Sequence, residues 1–192
     1  MSVTDWAGSA QYIGVPEPAV AMPECAVEFP AIYAAELGYV WSTLRRLGVQ
    51  ERDLEDLCHD VFVVVFRNLA AYDARRPIRP WLFGIAFRVA SDYRRSARFR
   101  REVPGTTREV VCSAPRADEV MLRRERQRLV MRALDALELD RRAVFVMHDI
   151  DGHVMPDIAA ALGVPLNTAY SRLRLARADF AAAVRRAQGS GA

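Results

Sequence analysis

Arg172, Arg174 and Arg177 share the polar side of a periodic run near the end of this chain. A guanidinium is planar, always charged and forked, so it can grip a phosphate or the O6/N7 edge of guanine with two parallel hydrogen bonds. The chemistry on offer is therefore recognition of a polyanion, and its value depends on what holds the three side chains. The stretch Met155 to Arg177, MPDIAAALGVPLNTAYSRLRLAR, supplies the answer. Ile158, Ala159 and Leu162 recur at helical spacing, and Gly163, Val164 and Pro165 make a three-residue turn. A second helix is predicted from Pro165 through Tyr170, Leu173 and Ala176. A short scaffold helix followed by an Arg-bearing helix is a helix-turn-helix, which lays its second helix in a DNA major groove. The same pattern also fits two packed helices of an ordinary bundle with a solvated Arg face.

Other reactive groupings carry less. Asp56, His59 and Asp60 lie at i, i+3 and i+4 on one predicted helix, half of a carboxylate-and-histidine metal site in a helical bundle. The second half is missing, because the chain has three His and no matching E-x-x-H partner. His148, Asp149, Asp151 and His153 fall at a connection, where Asp and Gly are ordinary turn residues. Ser171 has no His or Asp at a spacing that would activate it. The expectation is a non-enzyme with no catalytic group, no metal and no cofactor.

The elements that position these residues read as helices throughout. Residues 31 to 48 place Tyr33, Leu37, Val40, Trp41, Leu44 and Leu47 at helical spacing, with Gly48 as a stop. A second helix is predicted from an Asp53 N-cap to about Ala71, with Leu54, Leu57, Val61, Val65 and Leu69 as its buried stripe. Tyr72 to Arg79 is a loop. A third helix begins at Pro80 and buries Trp81, Leu82, Ile85, Ala86, Val89, Ala90 and Tyr93, leaving Phe83, Phe87, Arg88, Ser91, Arg94 and Arg95 outside. Periodicity fails between Glu102 and Asp118, and helices resume at Glu119, one to near Leu137 and another over Asp140 to Ile150. The fold class is all-α: two small helical domains joined by a flexible linker, with a Pro-rich arm over 1–30 and a frayed tail from Gly189.

Composition fits this layout. The 192 residues are 52% hydrophobic, enough for two small cores. Net charge is only +3, but it is uneven. Nine Arg stand against one acid between Arg75 and Arg101, and five acids against one Arg between Glu51 and Asp60. Neighbouring blocks of opposite sign imply two kinds of partner. All 27 basic residues are Arg, which we attribute to a GC-rich genome rather than to function. Cys25, Cys58 and Cys112 form neither a C-x-x-C pair nor a zinc set, a reducing-compartment pattern. With no signal-like start and no apolar run longer than Val61 to Phe66, the expected location is cytoplasmic, without membrane insertion.

The runs DLEDLCHDVF (Asp53 to Phe62) and WLFGIAFRVASDYRR (Trp81 to Arg95) resemble region two of the extracytoplasmic-function (ECF) group of bacterial RNA polymerase sigma factors. The run LDRRAVFVMHDIDGHVMPDIAAALGVPLNTAYSRLRLAR (Leu139 to Arg177) resembles their region four. The resemblance implies a region-two domain over 31–101, a linker over 102–118 and a region-four domain over 119–188. It implies core polymerase as a partner, through its β′ clamp helices and β subunit, with Asp53, Glu55, Asp56, His59, Asp60 and Phe62 at that contact. Promoter DNA would meet Tyr72, Arg75, Arg76, Arg79, Phe87, Arg88, Ser91, Arg94 and Arg95 at the minus-ten element, where strands open. At the minus-thirty-five element, Tyr170, Ser171 and Arg174 would face base edges, and Thr168, Arg172 and Arg177 the phosphates. An anti-sigma protein is a further implied partner. The chain departs from the family pattern at Arg88, where Asn is usual, at Gly84, where an aromatic or polar residue is usual, and at His59, Tyr170 and Leu175. The other reading is a stand-alone helix-turn-helix regulator whose first module dimerises or senses.

Overall fold

The computed structural model describes residues 28–102 and 118–189, with side chains placed for 28–96 and 125–189. The expected arm up to residue 27, most of the linker and the last three residues lie outside the described residues. Three helices form the first module: α1 (Phe29–Arg46), α2 (Leu54–Asn68) and α3 (Ile78–Glu102). Four form the second: α4 (Asp118–Asp135), α5 (Leu139–Phe145), α6 (Met155–Leu162) and α7 (Leu166–Gly189).

Local chemistry accounts for the boundaries. Pro30 stands in the first turn of α1, where a missing amide hydrogen costs nothing. At its other end Gly48, at φ +90°, lets the chain reverse, with the Gly48 amide on the Arg45 carbonyl (3.0 Å) and the Val49 amide on that of Leu44 (3.1 Å). This is a Schellman cap, sealed by the Val49–Leu44 apolar pair and by two arginines in the last turn that suit the helix dipole. Asp53 does not cap α2 as its residue type suggests. It ends a 3₁₀ turn (Glu51–Asp53) with helical backbone angles, and its carboxylate accepts the Tyr93 hydroxyl at 2.7 Å instead. The buried stripe of α2 is Leu54, Cys58, Val61, Phe62 and Val65, rotated by about one position from the leucine-led stripe expected, because Phe62 is drawn against Phe29 and Tyr33.

α3 buries more than one stripe. Leu82, Phe83, Gly84, Ile85 and Ala86 are all buried in succession. Phe83, expected on the outer face, is fully buried. The reason is that α3 is packed from two sides: α1 and α2 cover one, and α6 of the second module covers another. The buried residues accordingly form one continuous cluster, running from Val40 and Leu44 through Phe83 to Ile158, Leu173 and Ala176. The two modules pack against each other in this structure, α6 lying on α3.

α5 runs directly into a π turn, Val146–Ile150, a wider turn that inserts one residue into the helical phase. Its C-terminal end carries Asp149 and leads into Asp151. Arg142 on α5 is a buried charge, 1% exposed, whose guanidinium bonds Asp135 (2.9 Å) and the Leu137 carbonyl (3.4 Å) and reaches the Arg46 carbonyl of the first module (3.5 Å). Burial pushes its pKa down, and Asp135 pulls it back.

Phe83 separates an outer-face position from a core one. Phe83→Ala is expected to cost about 3–5 kcal/mol in urea or thermal unfolding, as buried Phe truncations do. Phe87→Ala, at a half-buried neighbour, should cost clearly less. Equal small effects would place Phe83 on the surface after all.

Candidate nucleic-acid interfaces

The helix-turn-helix forms where the residue pattern puts it. Gly163 takes φ +65°, and the Val164 amide reaches the Ala159 carbonyl at 3.0 Å, so α6 ends in a second Schellman cap. Pro165 then precedes α7, whose first full turn starts at Leu166. Ala169, Leu173 and Ala176 are buried at i, i+4 and i+7, which fixes the rotation of α7. Tyr170, Ser171 and Arg174 consequently face solvent.

The three arginines of α7 have three different environments. Arg172 is half-buried and donates to Asp140 of α5. Arg177 forks onto Asp149 of the π turn, with nitrogens at 2.6 and 2.8 Å from its two carboxylate oxygens. Those bonds, and His148 beside them, hold the Asp149 carboxyl below the usual carboxylate range. Arg174 is exposed and makes no ion pair among the described residues. Only Arg174 thus offers an uncommitted fork; Arg172 is first a tie between helices.

The loop expected over Tyr72 to Arg79 ends at Pro77, since α3 already begins at Ile78 and takes in Arg79, and it is shaped by its own side chains. Tyr72 packs on Trp81 with ring centroids 4.8 Å apart and donates its hydroxyl to the Arg76 carbonyl. Asp73 accepts the Arg75 amide at 3.1 Å and its guanidinium at 2.9 and 3.1 Å, which lowers the Asp73 pKa. Arg79 pairs with Glu36 at 2.9 Å and lies over the Tyr39 ring. Arg76, Arg88 and Arg95 are exposed. Phe87 is half-buried, and Ser91 spends its hydroxyl on the Phe87 carbonyl at 2.7 Å. Arg94 turns the other way, toward the Leu47 carbonyl at 3.3 Å, and so does not join the group around the loop.

On α2, Glu55, Asp56, His59 and Asp60 are exposed along one side. Phe62 is not with them: it is 2% exposed beneath Phe29 and Tyr33. Four residues on, Phe66 is 65% exposed, an aromatic that the sequence reading passed over. Its signal was available as the next i+4 position after Phe62 on a helix too apolar for one buried stripe. The histidine and aspartate grouping before the helix-turn-helix divides into two clusters. His148 and Asp149 serve Arg177, whereas Asp151 accepts Tyr39 and Arg46 across the module junction.

An arginine-rich loop and a helix-turn-helix on an all-helical frame among the described residues define a DNA-reading protein. The pattern described as "Sigma-70 region 2" matches residues 32–100, and "Sigma-70, region 4" matches residues 127–180. SigL of Mycobacterium tuberculosis, an ECF RNA polymerase sigma factor, is 31% identical over 147 residues, covering 76% of this chain and 82% of that protein. CnrH of Cupriavidus metallidurans, an RNA polymerase sigma factor, is 30% identical, covering 72% and 76%. Among solved structures, CnrH in complex with the cytosolic domain of CnrY aligns with a TM-score of 0.56 at 27% identity, over 82% of this chain and 88% of that one. The sigma factor RpoE with the anti-sigma factor NepR from Bartonella quintana shares the fold, with a TM-score of 0.65 at 20% identity over 82% and 96%. The chain belongs to the ECF RNA polymerase sigma factors: it is a transcription initiation factor that directs core polymerase to promoters. No helix among the described residues is long and apolar enough to cross a membrane.

The division of labour on α7 is open to test. Arg172→Ala and Asp140→Ala should each destabilise the fold by about 1 kcal/mol, with the double variant no worse than either, as expected of a charge-assisted bond that both residues share. Arg174→Ala should leave the unfolding midpoint unchanged. Additive losses in the Arg172/Asp140 cycle would mean that the pair contributes nothing.

Proposed function

We propose that Glu55, Asp56, His59 and Asp60 of α2, with the exposed ring of Phe66, make the contact with core polymerase. The observation that carries this is the exposed acidic side of α2 next to an exposed aromatic, while Asp53 is committed to Tyr93 and Phe62 to the core. Asp53 and Phe62 act on that face from behind, by fixing the start and the rotation of α2. At the minus-ten element, Tyr72, Arg76, Arg88 and Arg95 are the contacts, with Arg75 and Arg79 reaching DNA after exchanging Asp73 and Glu36 for phosphates. Strand opening is then a matter of binding energy directed preferentially to the single-stranded form, with cations along the backbone and aromatic faces for extruded bases. At the minus-thirty-five element, Tyr170, Ser171 and Arg174 read base edges, and Thr168 and Arg177 position the backbone. The domain limits are 31–101 and 119–188. The solved relatives carry anti-sigma proteins, and we infer that an anti-sigma protein also binds this chain, in the cytoplasm.

Run-off transcription with core polymerase on a promoter library tests the assignment in one experiment. The Glu55→Ala/Asp56→Ala double variant should need at least tenfold more protein to saturate core polymerase, with unchanged unfolding. Arg174→Ala should lose about 1–3 kcal/mol of discrimination at one position of the minus-thirty-five element, whereas Arg177→Ala should weaken all promoters alike. Full wild-type base preference in Arg174→Ala would show that the register of α7 in the groove is wrong.

A further inference from the structure

His148 and Asp149 read as ordinary turn residues in the sequence, yet they stand directly behind a proposed DNA contact. Both belong to the π turn, and both meet α7. Arg177 forks onto Asp149, with Nη2 at 2.6 Å from Oδ1 and Nε at 2.8 Å from Oδ2. His148 Nδ1 lies 2.7 Å from the same Oδ1 and 3.4 Å from Arg177 Nη2. Asp149 is held ionised by Arg177 first and by His148 after it. An ionised carboxylate can only accept, so Nδ1 carries the ring hydrogen and Nε2 is the nitrogen open to a second proton. One carboxylate oxygen thus serves two donors.

This arrangement conflicts with a bidentate phosphate contact. The Nε–Nη2 edge of Arg177 is used up on Asp149, and a phosphate at the remaining nitrogen would stand against the Asp149 charge. Once Arg177 moves to DNA, the Asp149 carboxylate, 22% exposed, loses its guanidinium. The neighbouring elements have no spare cation aimed at it. Arg172 of α7 is held by Asp140 of α5, and Arg141 of α5 by Asp179 of α7. Beyond the turn, Asp151 is paired with Arg46, and Asp157 of α6 faces the cleft beside Tyr72. Arg174, one turn earlier on α7, is a proposed base contact. His148 is left. Its ring borders two opposite charges in the free protein, Asp149 favouring the imidazolium and Arg177 opposing it. With Arg177 gone, only the favourable one remains, and histidine is the side chain that ordinarily changes charge between about pH 5 and 8.

We propose that Asp149 stands in for phosphate on Arg177 in the free protein, and that seating α7 on promoter DNA passes the carboxylate from Arg177 to His148, which takes up a proton from solvent at Nε2. His148 and Asp149 are then positioning residues: they hold the fork ready in its bidentate pose and make promoter affinity depend on pH. The bound state carries more protons than the free state, so affinity rises as pH falls through the histidine range. With one proton involved, the gain is at most about tenfold per pH unit. The coupling is blind to base sequence, because the contact it governs is to phosphate. All of this rests on the assignment of Arg177 to the DNA backbone made above.

The test is binding of the holoenzyme, full chain with core polymerase, to fluorescently labelled promoter duplexes between about pH 6 and 8. On acidification across that range, wild-type affinity should gain about fivefold over that of His148→Gln. Asp149→Asn, which keeps the shape and removes the charge, should lose the same gain. At the alkaline end it should bind about threefold more tightly than wild type on every promoter alike, since phosphate no longer has a competitor. His153→Gln, whose ring lies beside Tyr39, should keep the wild-type profile. If either His148→Gln or Asp149→Asn fails to fold, the other decides, because each removes one half of the exchange. A wild-type profile no steeper than that of His148→Gln, or an Asp149→Asn holoenzyme that binds no more tightly than wild type at the alkaline end, would overturn the proposal. Failure of the underlying reading has a different signature: Arg177→Ala would then leave the affinity for every promoter unchanged.

Discussion

The arrangement of the whole chain depends on α3 being buried from two sides. Five consecutive residues, Leu82 to Ala86, lose contact with water, which no helix achieves against a single neighbour. One side closes the region-two core with α1 and α2, and the other accepts α6. Apolar burial is non-directional, so it brings the modules together without setting their register. Register comes from the polar contacts at the rim, Asp151 with Arg46 and Tyr39, and Arg142 with the Arg46 carbonyl. Buried charges of this kind stabilise little in net terms, but they make competing arrangements expensive, since each leaves an unpaired charge away from water.

In a chain whose only cations besides histidine are arginines, residue type cannot say which of them meets DNA; the neighbouring carboxylates can. Arg172 on Asp140 and Arg142 on Asp135 are internal ties. Arg75, Arg79 and Arg177 are held at the surface by acids that phosphate could replace. Arg76 and Arg174 project freely among the described residues. This gradation turns one block of positive charge into groups with different roles.

Much of the fold was legible from periodicity and caps. Gly48 and Gly163 end α1 and α6 where the sequence places them, and Ala169, Leu173 and Ala176 turn α7 so that Tyr170 and Arg174 face out. Errors arose wherever a helix has more than one buried neighbour. Phe62 and Phe83 look like surface aromatics on a helical wheel with one core-facing stripe, yet each lies under a second contact that only the tertiary arrangement supplies. Asp53 and Asp151 read as a cap and a turn residue, because local rules see the adjacent backbone and not a tyrosine forty or more positions away. Gly84 was visible as a departure from the family pattern, but its cause lay in a carbonyl of another module.

The π turn at Val146–Ile150 has an evolutionary corollary. Its extra residue sets Asp149 toward Arg177 on one side and leads Asp151 toward Arg46 on the other. Deleting one residue there would close the wide turn into ordinary α-helical winding, and Asp149, which lies inside it, would shift by about 100° around the helix. The Asp149 carboxylate would then leave Arg177. A single-codon deletion in this segment would thus reach the DNA-reading helix, through the lost Asp149–Arg177 pair, without altering α7 itself.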